Sequence, residues 1–131
     1  MTPSVIAGVV VGAAIVRGGT LLAQQRAWPA EAAGQWELPG GRVEPGESEV
    51  DALRRECAEE LDVEISVGER VGPDVELPGG KVLRIFAAEL AEGEPRPVEH
   101  LGLRWLTADE LLSVVWLPAD RLLLPDLRAL L

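Results

Sequence analysis

Glu56, Glu59 and Glu60 are the residues of this sequence best placed to do chemistry together. Related as i, i+3 and i+4, they stack on one face of any helix that carries them. Such stacking is locally unfavourable, because like charges at that spacing cost on the order of a few tenths of a kcal/mol and carboxylates in a last turn oppose the helix dipole. At an effective dielectric of about 20 and roughly 6 Å separation, each pair repels by about 3 kcal/mol before screening. A divalent cation reverses that sign. Oxygen-only donors suit Mg²⁺ or Mn²⁺, and Mg²⁺ completes its octahedron with water and substrate phosphate. A phosphoanhydride substrate follows from that chemistry. The competing reading is a surface helix whose acidic side simply faces water.

The helix itself is well signalled. Ser48 with Asp51 three residues on marks its start, and it is expected to run to about Leu61. Val50, Leu53, Cys57 and Leu61 recur at spacings of three and four and should face the core. Glu49 and Ala52 fall one to two turns earlier on the acidic face. Ahead of the helix, the β-branched run Val5 to Val16 reads as a buried strand. Arg17-Gly18-Gly19 then supplies turn chemistry before Thr20 to Ala23, which predicts a hairpin. Ala27 to Gly34 is a small-residue loop broken by Pro29, Gln35 to Leu38 a short strand that Pro39-Gly40-Gly41 ends, and Pro45-Gly46 a turn. Beyond the helix, Val63 to Val67 predicts a strand, and Val71 to Leu77 pairs with Lys81 to Leu90 across Pro78-Gly79-Gly80. Leu101 to Leu106 adds a further strand. Thr107 and Glu110 form a capping-box pair opening a short helix through Leu112, and 118–131 has apolar spacing for one closing helix.

At 131 residues the chain is expected to be one domain, 1–131, with no repeat or linker to divide it. Hydrophobic residues at 47% and charged residues at 26% exclude a disordered or fibrous chain. Twelve Lys and Arg against 22 Asp and Glu leave a net charge of −10, which disfavours nucleic-acid polymers and anionic membranes as partners. Twelve apolar residues from Val5 are too few to span a bilayer, and no Lys or Arg precedes them as in a secretory leader. One cysteine, Cys57, forms no internal disulfide and fits a reducing cytoplasm.

Gly41, five residues, Glu47, seven residues, then Arg55-Glu56-Cys57-Ala58-Glu59-Glu60-Leu61-Asp62-Val63 resembles the Nudix box, GX5EX7REUXEEXGU with U a bulky aliphatic. Cys57 stands where Ile, Leu or Val is usual, and Asp62 replaces the glycine after the helix. Cysteine packs as a small hydrophobe, and Asp tolerates the left-handed conformation better than most residues. Leu21 to Arg26, Trp36 to Gly41 and Trp116 to Asp120 resemble the MutT-type branch, particularly its CTP pyrophosphohydrolase and oxidised-dGTP members. The resemblance implies an α/β (α+β) Nudix fold, an αβα sandwich around a mixed sheet, and an enzyme splitting a nucleoside triphosphate into monophosphate and pyrophosphate.

The resemblance also assigns roles. Glu56, Glu59 and Glu60 would bind Mg²⁺, with Mn²⁺ as a substitute, and Glu99 would add a carboxylate as metal ligand or water activator. The Gly40 carbonyl would be a further ligand, and Gly40 and Gly41 let backbone approach metal and phosphate closely. Glu47 and Arg55 would pair across loop and helix. Arg26, Glu37, Gly40, Arg42 and Asp120 would line the substrate site, Arg26 contacting substrate or else forming a surface salt bridge. Asp120 would read the base, and an ionised carboxylate there prefers cytosine N4 or the N1 and N2 protons of guanine; its alternative is a helix N-cap. Trp36, Trp105 and Trp116 could stack a base but read more readily as core, and His100 reads as exposed rather than catalytic.

The leading expectation is hydrolysis of CTP, dCTP or 5-methylated cytosine nucleotides by in-line attack of water, with Glu56 or Glu99 taking the proton and 8-oxo-dGTP as a second substrate, a pool-sanitation activity. Monomer and homodimer both remain open. A diadenosine-polyphosphate hydrolase would carry a tyrosine after the box, and this chain has none. An ADP-ribose or other nucleoside-diphosphate-linked hydrolase is the alternative, with Pro78 fifteen residues past Val63 explained equally by a hairpin turn. A non-catalytic nucleotide or metal-binding module is the other.

Overall fold

The computed structural model describes residues 7–131. Val5 and Ile6 of the first predicted strand lie outside them. Among the described residues seven strands form one sheet: β1 Gly8–Arg17, β2 Thr20–Gln25, β3 Trp36–Glu37, β4 Gly40–Arg42, β5 Glu64–Glu76, β6 Lys81–Glu92 and β7 Gly102–Leu106. The path runs β3-β2-β1-β6-β5, with β4 pairing β1 and β7 pairing β2. β1 runs parallel to β6 and the other named pairs are antiparallel, so the sheet is mixed. β1 and β2 close through Gly18-Gly19, both at positive φ, where a side chain would be strained.

β1 is apolar on both faces because both are covered. Val11, Ala13 and Ile15 join Leu22, Phe86 and Ala88 beneath helix α1, Glu49–Leu61, while Ala14, Leu21, Ala23 and Ile85 meet Leu111, Trp116, Leu123 and Leu127 on the opposite side. That second layer is a 3-10 turn, Ala108–Ser113, followed by α2, Pro118–Arg121, and α3, Leu124–Arg128. The result is a helix–sheet–helix sandwich, as the resemblance implied.

α1 begins where Ser48 Oγ accepts from the Asp51 N–H, and ends at Asp62, left-handed at φ 59°, whose N–H caps the Ala58 carbonyl. Two rows of the helix face the sheet: Leu53, Cys57 and Leu61, all fully buried, and beside them Ala52, Glu56 and Glu60. Val50, predicted for the core, is instead exposed, and Ala52, predicted for the acidic face, is buried. This rotation carries Glu56 and Glu60 inward and leaves Glu59 outside.

Three other expectations change. Gly40 and Gly41, read as the end of the preceding strand, instead open a strand of their own, Gly40–Arg42, because the edge of β1 at Val10 to Gly12 is free to pair with it. Val63 to Val67 and Val71 to Leu77 are one strand, β5, whose register shifts against β6 absorb the polar break between them. The closing helix is two short ones, since Pro125 has no N–H for the Arg121 carbonyl and restarts the helix at its own first turn.

Candidate active site

The carboxylates of α1 are organised by one guanidinium. Arg55 donates from Nε and Nη2 to the two Glu47 oxygens at 2.7 and 3.0 Å, from Nη1 to Glu56 at 2.9 Å, and from Nη2 to the Arg42 carbonyl at 3.0 Å. Its reach to Glu59 is long, 3.4 Å. Hydrogen bonding by Arg55, helped by the Glu44 N–H, holds Glu47 below the usual carboxylate range. Loop 43–48 and strand β4 are thus fixed to the helix through a forked, charge-assisted contact. The carboxylate of Glu56 lies directly over Gly41, where an added Cβ would collide with it; at Gly40 a Cβ would collide with the Val11 carbonyl. Both glycines are required by close approach.

Behind Glu56 lies a buried polar cluster. Gln24 on β2, fully buried, donates from Nε2 to Glu60 at 2.5 Å and to Glu37 at 3.4 Å. Glu37 also takes two contacts from Arg26 Nη1, at 3.0 and 3.2 Å, and stands 2.9 Å from His100 Nε2. Burial, with the charges of Glu37 and Glu56 adding to it, raises the pKa of Glu60 against the opposing bonds from Gln24 and the Gly40 N–H. Among the described residues Gln24 Oε1 and His100 Nδ1 are buried without hydrogen-bond partners. His100, expected to be exposed, has a side chain only 11% exposed because Glu37 draws it inward. A cavity of about 130 Å³ is bordered here by Arg26, Trp28, Glu60, Glu99 and His100.

A larger cavity of about 430 Å³ lies on the other side of β4, lined by Arg26, Glu37, Gly40 and Gly41 at one end and by Leu83, Leu117, Pro118 and Asp120 at the other. Its size suits a small organic ligand. Asp120 is 7% exposed and does not cap its helix: Oδ2 accepts from the Leu38 N–H at 2.8 Å, tying α2 to the strand before the diglycine. Burial pushes its pKa up to about 7, with Glu37 adding and Leu38 and Arg26 opposing.

The predicted residues therefore separate. Glu56, Glu60, Gly40 and Gly41 sit together, with Glu47 and Arg55 buttressing them, and Arg26, Glu37 and Asp120 line the larger cavity. Glu99 is exposed on the rim of the smaller one. Arg42 offers only its carbonyl, to Arg55, and its side chain faces water outside both cavities. The expected convergence of three glutamates is not met: among the described residues no three His, Cys, Asp or Glu side chains enclose one point, because Glu59 turns out toward Arg55 and Glu60 turns in toward Gln24. The set still fits a hard divalent cation. Among the described residues Glu37, Glu47, Glu56, Glu59 and Glu60 share two guanidiniums, those of Arg26 and Arg55, with the His100 imidazole beside Glu37, and Glu60 has no cationic partner.

Of the aromatic candidates, Trp116 is buried with Nε1 donating to the Leu111 carbonyl at 2.6 Å, and Trp36 and Trp105 pack on the two core clusters. Sequence reasoning missed Gln24, which looks like an ordinary strand residue, and Trp28, 64% exposed beside the smaller cavity. The buried thiol of Cys57 is pushed up by burial and serves packing.

Residues 7–127 match the NUDIX domain model. A Mycobacterium tuberculosis protein named "Putative 8-oxo-dGTP diphosphatase 2" is 52% identical over 91% of this chain and 86% of its own length. The Escherichia coli protein named "CTP pyrophosphohydrolase" is 39% identical over 92% of this chain and 91% of its own. Among solved structures, the E. coli ORF135 protein superposes with a TM-score of 0.78 at 39% identity, covering 94% of this chain and 89% of that one. A MutT NUDIX hydrolase from Burkholderia pseudomallei does so with 0.74 at 33%, covering 91% and 96%. Among the described residues no helix is long and apolar enough to cross a membrane.

Proposed function

The chain belongs to the NUDIX domain family of hydrolases, and from that premise we propose that it is a Mg²⁺-dependent pyrophosphohydrolase converting a nucleoside triphosphate and water to monophosphate and pyrophosphate. One observation carries the reading: a single cavity runs from the buried acceptor Asp120 to Gly40 and Gly41, directly beneath Glu56. A base at the Asp120 end and phosphates at the glycine end fit that layout.

Glu56, Glu59, Glu60, the Gly40 carbonyl and Glu99 would hold the cation, with Mn²⁺ as a substitute. When bound, it neutralises phosphate charge and acidifies water. The chain supplies the rest. Arg55 keeps Glu56 in place, and the missing Cβ atoms at Gly40 and Gly41 admit phosphate oxygens against backbone. Arg26 and Glu37 border the passage between base and phosphates. Water attacks phosphorus in line, the α–β anhydride breaks, and Glu56 or Glu99 takes the proton.

With Oδ2 of Asp120 engaged by Leu38, Oδ1 would accept a hydrogen bond from the base. An acceptor there takes the N4 amine of cytosine, which with the E. coli relative supports CTP, dCTP or 5-methylated forms as preferred substrates. It equally takes N1–H or N2–H of guanine, and the more similar M. tuberculosis relative favours 8-oxo-dGTP as the second. A panel of nucleoside triphosphates with Mg²⁺, resolved by chromatography, tests the proposal. Monophosphate and pyrophosphate from cytosine or 8-oxoguanine substrates support it; release of orthophosphate, or faster cleavage of ADP-ribose, contradicts it.

A further inference from the structure

We propose that Gln24 is a positioning residue for the cation site: its side-chain amide fixes the Glu60 carboxylate for a divalent ion and ties it to Glu37 at the nucleotide cavity. This rests on Glu60 being a cation ligand. Gln24 shares the α1-facing side of β2 with the core residue Leu22, a place where an aliphatic side chain would pack against the helix without any polar atom to satisfy. Instead an amide is buried there completely, with Nε2 at 2.5 Å from Glu60 and 3.4 Å from Glu37 and with Oε1 left without a partner. An ionised carboxylate only accepts, so with both acids charged the NH₂ end faces them, one proton to each. Arg55 restrains Glu56 and Glu59, whereas among the described residues Glu60 is held by Gln24 and the Gly40 N–H alone. Glu37 is itself anchored by Arg26 and His100. The sequence Arg26–Glu37–Gln24–Glu60 therefore connects the wall of the larger cavity to the acidic helix without a break. A partner that orients a ligand's carboxylate commonly changes metal affinity or activity by about 10–100-fold when removed.

Two variants of the full chain test this. Gln24→Met keeps the volume and removes both donors; Gln24→Asn keeps the amide but shortens its reach. Mn²⁺ is titrated into nucleotide-free protein and followed by electron paramagnetic resonance, beside thermal unfolding and dCTP kinetics. The expected result is folded variants whose Mn²⁺ Kd rises about 10–100-fold and whose kcat falls in parallel, with KM for dCTP nearly unchanged and kcat partly restored by excess Mn²⁺. Unchanged Mn²⁺ affinity in either folded variant overturns the role of Gln24, as does loss of folding in both, which would make it purely structural. Failure of the parent protein to bind Mn²⁺ overturns the reading of Glu60 and this inference with it.

Discussion

Replacing Asp120 with Asn should remove a pH-dependent loss of stability. In the fold, burial holds the Asp120 pKa at about 7 against an ordinary 3.8. Between those values the folded chain keeps a proton that the unfolded chain has lost. Stability contributed by this group is therefore full at low pH, falls as pH rises, and is gone above about 7. From pH 5 to pH 8 the fall amounts to about 3 kcal/mol. Asn preserves an acceptor for the Leu38 N–H but cannot ionise. Whatever the new amide costs is independent of pH and moves both ends equally, so the readout is the change in the difference between the two proteins. At about 4 °C per kcal/mol for a chain of this length, the Tm of Asp120→Asn minus that of the parent should grow by about 10 °C between pH 5 and pH 8. Differential scanning calorimetry without metal or nucleotide measures it. Parallel Tm profiles would refute the claim that Asp120 is ionised at a cost in this cavity.

Three further outcomes follow from the same geometry. Gly41→Ala places a Cβ into the Glu56 carboxylate, so kcat/KM should drop at least about 10²-fold in a pyrophosphate-release assay while the far-ultraviolet circular dichroism stays that of the parent. Arg55→Lys retains charge but loses the fork to Glu47, and urea unfolding should show a loss of about 1–2 kcal/mol together with a higher Mg²⁺ requirement; an unchanged midpoint would contradict the buttressing role. Glu59→Gln should abolish pyrophosphate release with little effect on Tm, since Glu59 is exposed and loosely held by Arg55; undiminished turnover would exclude it from the cation set.

Local signals were legible where one residue type has one physical job. Ser48 and Asp62 mark the two ends of α1, Gly18-Gly19 closes the first hairpin, and Thr107 with Glu110 form the capping box read from their spacing. What the sequence concealed depends on neighbours distant along the chain. Gly40–Arg42 has no strand propensity and pairs only because β1 offers an edge. Spacing alone placed Val50 in the core stripe, whereas packing against the sheet chose Ala52 and with it the inward turn of Glu56 and Glu60. Glu47 and Arg55, eight residues apart, meet because the loop folds back on the helix. The contacts that tie Gln24, Glu37, Glu60 and His100 to one another span 13, 36 and 63 residues of chain, beyond the reach of any local pattern.

The most direct test of the account is calorimetric titration of Mg²⁺ into the folded protein, alone and with a non-hydrolysable cytidine triphosphate analogue. Uptake that tightens when the analogue is present, and that weakens in Glu60→Gln, is the result expected of an acidic helix face short of positive charge and open to a nucleotide. No Mg²⁺ uptake in either condition would contradict it.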